Sequence, residues 1–411
     1  MKAFVFVAIS IIVHAKKYEM VLRSTGSLKA RVMKNGMNQN YQSMQETAYD
    51  QAPRKQFVRF RDYYDDLYLG NITIGTPGQN MSLLVDTGSA NLWIFDITCR
   101  SFGCIGVPGS GFTRRRFNTR TSSTFTRQRK QISLSYGAGS CSGPVGKDAV
   151  SFAGNHLDIT VHLNEIKVHD YSAMIENQEF IHVTEADGAF FFMPIDGILG
   201  LGWPAITVGE VTPPLQNILS SLDAPLFTIW MDKKDATKVG NAGLITFGAI
   251  DAVNCESEIN YVPLSKEAYW QFPIEGFSIG SFSTSKSAQA VSSTGTSWIG
   301  APTEIIEAVA NQTGAHYDSL NKFYTVDCST MKTQPDLVFT INSVKYNIPP
   351  EEYVLGIGVG DGQCVLAFFE IPSGSLRMDW ILGEAWIRTY CNIHDFGQKR
   401  IGFAKAMRKE V

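Results

Sequence analysis

Asp86 lies in the stretch LLVDTGSANLWI (83–94), where an acid sits between an apolar run and a Thr-Gly turn. A carboxylate held at such a turn is positioned for acid–base work, although an isolated Asp before Gly more ordinarily caps its own turn. A second stretch, QAVSSTGTSWIG (289–300), aligns with the first about the shared Thr-Gly and has the form of a catalytic turn. At the place corresponding to Asp86 it carries Ser293. No Asp or Glu occurs from Gly276 to Thr303, so a shift of register restores no acid there. A serine hydroxyl bonds a water but does not replace a carboxylic acid. No His near Ser293 in the sequence could activate it as a nucleophile.

The elements that must hold these turns are strands. The segment LYLGNITIGTPGQNMSLLVDTGSANLWIF alternates apolar and polar residues between Gly and Pro, as do QISLSYGAGSCSG, HLDITVHLNEIKV, AGLITFGAI, DLVFTINSVKYNI and WIRTYCNIHDFGQKRIGFA. Helical periodicity is confined to short pieces, PPLQNILSSL and APTEIIEAVANQ, the latter with Pro302 and Glu304 early, where both suit a helix N-terminus. The class is mainly β.

The two Thr-Gly stretches belong to a weak internal repeat. Each is followed later by Ile-Leu-Gly, in DGILGLGWP (196–204) and DWILGEAWI (379–387). The common order implies duplicated lobes whose turns face each other across a cleft.

LLVDTGSANLWIF, LSYGAGS, DGILGLGWP and WILGEAWIRTYCNIHDFGQKRIGFA, taken in order from about Tyr64 to Ala404, resemble the pepsin family of aspartic proteases. The resemblance implies a bilobal pepsin-like fold of two related β-barrel-like lobes with an interlobe cleft. Its chemistry uses two carboxylates that share one proton, so that one activates water while the other protonates the scissile carbonyl. On that pattern Asp86 matches the first acid, with Thr87, Gly88 and Ser89 as its turn, and Ser293 takes the place of the second, before Thr294, Gly295, Thr296 and Ser297. Tyr136 resembles the flap tyrosine and Trp93 its hydrogen-bonding partner. Gly88, Tyr136, Gly137, Gly295 and Thr296 are the implied substrate-binding positions, with Thr87, Ser89, Trp93 and Thr294 supporting. Peptide or protein binding is expected to persist while proteolysis is severely reduced or absent; the alternative is an active endopeptidase relying on Asp86. Three further positions depart from the family pattern: Ala138 in the flap, Glu384 after Ile-Leu-Gly, and Trp298 beside the altered turn.

The same resemblance assigns the cysteines. Cys99–Cys104 and Cys328–Cys364 match family disulfides, Cys255–Cys391 is a third pairing, and Cys141 is left over. Composition alone says only that seven cysteines suit an oxidising compartment and that an odd count leaves one thiol free or paired between chains.

The 411 residues are 44% hydrophobic and 18% charged, with a formal net charge of -3, which gives no reason to expect nucleic acid or an anionic membrane as partner. Residues 1–15, MKAFVFVAISIIVHA, have the form of a signal peptide cleaved after Ala15, their apolar run being too short to span a bilayer. The basic stretch that follows, 16–57, has little apolar content with which to build a core and reads as a removable pro-segment. The remaining expectation is an N-terminal lobe over 58–249 and a C-terminal lobe over 250–411, in a monomer of the secretory pathway, extracellular or lysosomal. Scattered His residues and strand-like Gly motifs argue for no metal and no cofactor. Asn71, Asn80 and Asn311 begin glycosylation triplets, and Phe190-Phe191-Phe192-Met193 reads either as a subsite lining or as core ahead of DGILG.

Overall fold

The computed structural model describes residues 17–51, 66–107, 112–137, 139–152, 157–162, 165–170, 173–232, 240–371 and 378–408. The signal-peptide reading, residues 1–15, and Ala138 lie outside them. The chain is mostly β and has the bilobal pepsin-like architecture.

Its first strand, β1 (Tyr18–Ser24), buries Met20 and Leu22 and turns Glu19, Val21 and Arg23 outward, the period-2 alternation of a strand with one core face. It pairs antiparallel with Gly240–Phe247 from Tyr18↔Phe247 to Ser24↔Gly240, inside a 14-stranded sheet. The expectation that this region contributes little to a core is therefore corrected: sheet pairing buries two of its few apolar residues. After it come α1 (Leu28–Lys34) and α2 (Asn38–Gln51). Ser27 caps α1 by accepting from the Ala30 N–H at 2.9 Å, and Gly36, at φ 66°, closes its end in the left-handed conformation.

β2 (Tyr68–Ile74) and β3 (Gln79–Asp86) form the hairpin that delivers Asp86, and β4 (Leu92–Phe95) follows its turn. β5 (Thr126–Tyr136) and β6 (Gly139–Phe152) make a second hairpin with Tyr136 and Gly137 at its tip. In the later half, Leu337–Ile341 and Val344–Ile348 are joined by Asn342 and Ser343, both at positive φ, as a two-residue hairpin of the primed type requires.

The repeat is visible in the pairing. Gly197–Gly200, the first Ile-Leu-Gly strand, runs parallel to the end of β3, matching Gly200 with Asp86, and antiparallel to β4. The second, Trp380–Leu382, runs parallel to Ala288–Ser292, matching Leu382 with Ser292, and antiparallel to Ile299–Ala301. Each Thr-Gly turn is thus gripped by a strand from later in the chain.

The expected helices form at Pro214–Ile218 and Thr303–Thr313. Trp386 to Thr389, read with the strand that follows, instead belong to a helix, Glu384–Thr389. All six of its residues are buried, so it shows no polar face by which sequence periodicity could reveal it. The Phe190 stretch resolves towards core: Phe190, Phe192 and Met193 are buried with Trp93 and Phe95, while Phe191 stacks on Phe102 at 3.9 Å.

Candidate active site

The two turns are locked to each other by threonines. The Thr87 N–H donates to Thr294 Oγ1 at 3.0 Å, and the Thr294 N–H donates to Thr87 Oγ1 at 3.0 Å. Each hydroxyl then donates onward across the pair, Thr87 to the Ser292 carbonyl at 3.1 Å and Thr294 to the Val85 carbonyl at 2.7 Å. Both threonines are buried, so no water substitutes for these bonds.

Asp86 is buried, and its Oδ1 accepts the Gly88 N–H at 2.8 Å. Burial raises its pKa, against the lowering effect of bonds from Ser89, Gly88 and Gly295. Glycine is obligatory at 295 for close approach: a Cβ there would lie 2.3 Å from Asp86 Oδ1. The opposite turn mirrors this, since a Cβ on Gly88 would lie 2.7 Å from Ser293 Oγ and 3.1 Å from Asp86 Oδ1. One carboxylate and one hydroxyl therefore flank a common point. Ser293 is buried, its N–H donates to the Leu382 carbonyl at 3.1 Å, and its Oγ accepts from Thr296 Oγ1 at 3.2 Å.

Tyr136 is brought to this point by the β5–β6 hairpin. Trp93 Nε1–H donates to its phenol oxygen at 2.8 Å, and Phe190 packs edge-on against its ring. Burial pushes the phenol well above its ordinary range; the charges of Cys141 and Asp86 add to this, and bonds from Trp93 and Ser89 oppose it.

Tyr269 was not singled out in the sequence. Its phenol is raised by burial and by the charge of Asp86, which places it beside the site. Tyr269 lies in the two-residue turn, Ala268–Tyr269, ahead of the strand Trp270–Ile274, where strand alternation does not tell which way a side chain faces. Glu384, one of the departures from pattern, is taken elsewhere. Its carboxylate pairs with Arg388 at 3.1 Å, and Arg388 also pairs with Glu352 at 2.8 Å. Trp298 is buried in a cluster with Val291, Phe323 and Ile381.

The basic segment sits against both halves of the site. Leu28 and Val32 of α1 pack with Trp93 and Phe190, whereas Ala30 packs on the cluster of Val291 and Trp298. Ser24 Oγ donates to the Asp66 carboxylate at 2.7 Å, and Ser297 Oγ, from the second turn, donates to the Asp66 carbonyl at 2.6 Å. Further along, Asn38 Nδ2 donates to Asn321 Oδ1 at 2.6 Å and Gln42 Nε2 to the Leu320 carbonyl at 3.2 Å.

The Cys99–Cys104, Cys255–Cys391 and Cys328–Cys364 disulfides are all present, and Cys141 is a buried free thiol. Among the described residues, no helix is long and apolar enough to cross a membrane.

Duplicated strand–turn units, interlocked threonines and a hairpin-tip tyrosine that feels the charge of a buried Asp define a pepsin-like protein. A family model described as eukaryotic aspartyl protease matches residues 67–406. Aspartic protease 1 of Caenorhabditis elegans is 44% identical over 412 residues, covering 100% of both chains. Aspartic protease 17 of the same organism is 43% identical over 393 residues, 95% of each chain. Human gastricsin is 33% identical over 352 residues, 84% of this chain and 82% of its own. The chain belongs to the eukaryotic aspartyl proteases.

Proposed function

We propose that this chain is a pepsin-family endopeptidase homologue that keeps a peptide-binding cleft but has lost most or all of its proteolysis. The observation that carries the reading is the pairing of one carboxylate, Asp86, with one hydroxyl, Ser293, at the two interlocked turns. Amide hydrolysis here needs a base for water and an acid for the carbonyl at the same moment. Asp86 fills one role at a time: ionised, it takes a proton from water; protonated, it donates to the carbonyl. Ser293 supplies neither an ionised base nor a carboxylic acid. Loss of one member of such a unit commonly costs about 10⁴-fold or more in turnover.

The cleft survives because what shapes it is retained. In this reading Gly88, Gly295, Thr296, Gly137 and Tyr136 hold the backbone of an extended peptide, and Thr87, Ser89, Trp93 and Thr294 keep them in place. The basic segment acts as a pro-segment of a secreted or lysosomal precursor, which the packing of α1 against both clusters supports. The protein acts as a monomer on peptides or proteins, without nucleic acid, membrane, metal or cofactor.

The test is cleavage of a denatured protein substrate from acid to neutral pH by the unmodified protein, Ser293→Asp and Asp86→Ala. Silence in the unmodified protein with cleavage by Ser293→Asp is the expected result. Activity in the unmodified protein that vanishes in Asp86→Ala would overturn it in favour of an enzyme relying on one carboxylate. The names of the relatives, aspartic proteases and gastricsin, are what favour that second reading.

A further inference from the structure

Lys29 is only 3% exposed, in a protein with ample surface for an ammonium. Lysine is almost never buried this far without a dedicated partner. Its Nζ lies 4.2 Å from the centre of the Phe323 ring and 4.9 Å from that of Trp298. Both distances fall within the range in which a ring face attracts a cation, and two faces around one ammonium make an aromatic box. The Asp318 carboxylate adds charge: burial would raise its pKa, but bonds from Asn321 and Leu320 and the charge of Lys29 hold it below its ordinary value.

The box adjoins the candidate active site. Trp298 belongs to the segment that carries Ser293, and Tyr269, which feels the charge of Asp86, packs on the same cluster. Phe323 opens the strand Phe323–Asp327, paired with His316–Asp318. The turn between those strands receives Asn38 and Gln42 from α2. What fills the box is thus a side chain of the segment that must leave if the cleft is to open. An apolar side chain would suit two rings at lower desolvation cost, so a lysine there points to rings arranged for a cation.

We propose that Trp298 and Phe323 form a cation-binding subsite at the edge of the cleft, filled internally by Lys29 and, once the segment has left, by a Lys or Arg side chain of a bound peptide. The second half of this statement rests on the pro-segment reading above. The subsite favours peptides carrying a basic residue at one fixed distance from the two turns. It also makes the segment a competitor for such peptides, not merely a cover.

The subsite is tested first in the full chain. Lys29→Ala opens room for n-butylammonium, with n-butanol as its neutral counterpart. Millimolar n-butylammonium should raise the thermal midpoint of Lys29→Ala by several degrees and n-butanol should not, and the difference should vanish when Trp298→Leu is added. An equal response to the two probes overturns the proposal. A second arm needs no substitution. After the segment has been cut away by an added protease, with its loss verified by mass, octapeptides carrying one Lys at each position in turn are compared with norleucine counterparts by fluorescence anisotropy. At one position Lys should bind about 5–20-fold more tightly. No preference at any position overturns the ligand role. Resistance of the segment to the added protease would tell against the pro-segment reading alone, since the alkylammonium titration still decides the subsite.

Discussion

Thr87 and Thr294 exchange hydrogen bonds from backbone N–H to side-chain hydroxyl, 3.0 Å in each direction, so that each catalytic-type turn is completed by the other half of the chain. Replacing either by Val removes one acceptor and leaves a buried N–H of the opposite turn unpaired. The expected loss is about 2–4 kcal/mol for each single variant. Because the two act as one unit, Thr87→Val/Thr294→Val should cost clearly less than the sum of the singles. Urea unfolding of the four proteins checks this, and strict additivity would contradict the interlock.

Asp86 gives a pH dependence of unusual sign. Its pKa is raised in the folded state by burial, so the native protein holds the proton more firmly than the unfolded chain does. Stability from this group is complete below the unfolded value and falls as pH rises through the window up to the folded one. Asp86→Asn keeps an acceptor for the Gly88 N–H and has no charge to bury. It should therefore be the more stable protein at neutral pH, the difference shrinking towards pH 3. Chemical denaturation across that range measures it, and a difference independent of pH would count against the buried charge.

The strands and both turns could be read from sequence because their causes are local. Alternation, Gly and Pro fix strand and hairpin within a few residues, and the repeated Thr-Gly and Ile-Leu-Gly stretches mark the duplicated units. What could not be read depends on contacts distant in the chain. Tyr269 comes to feel the charge of Asp86, and Lys29 comes to lie against Trp298 and Phe323, only when segments far apart in the chain are brought together. The helix Glu384–Thr389 was hidden for a different reason, since burial on every side erases the pattern that identifies a helix. The Arg388–Glu352 ion pair is likewise long-range, whereas the Glu384–Arg388 pair is local, at i,i+4 spacing.

Cys141 should be silent in the native protein. It is 2% exposed, and burial, with the charge of Asp187 in addition, pushes its thiol well above the ordinary range. Little thiolate is then present to react at neutral pH. Iodoacetamide should add nothing to the folded chain and one group per chain after unfolding without reductant. Peptide mapping should place that group on Cys141 and recover Cys255–Cys391 as a disulfide. Label elsewhere, or rapid native labelling, would contradict the assignment.

His394 sets a cost on acid. Its ring lies parallel to Phe227 at 4.4 Å and edge-on to Trp270 at 4.7 Å, fully buried, and burial lowers its pKa to about 3. The folded state thus keeps the imidazole neutral where the unfolded chain protonates it near the ordinary histidine value of 6.5. Stability from this site is complete above that value and is lost progressively as pH falls towards about 3. At about 1.4 kcal/mol per unit, the loss by pH 5 is about 2 kcal/mol. His394→Phe keeps the stacking and removes the titration. Its stability relative to the unmodified protein should therefore improve steadily from pH 7 to pH 4. Urea midpoints at several pH values measure this, and parallel curves for the two proteins would show that the buried imidazole does not titrate as its surroundings require.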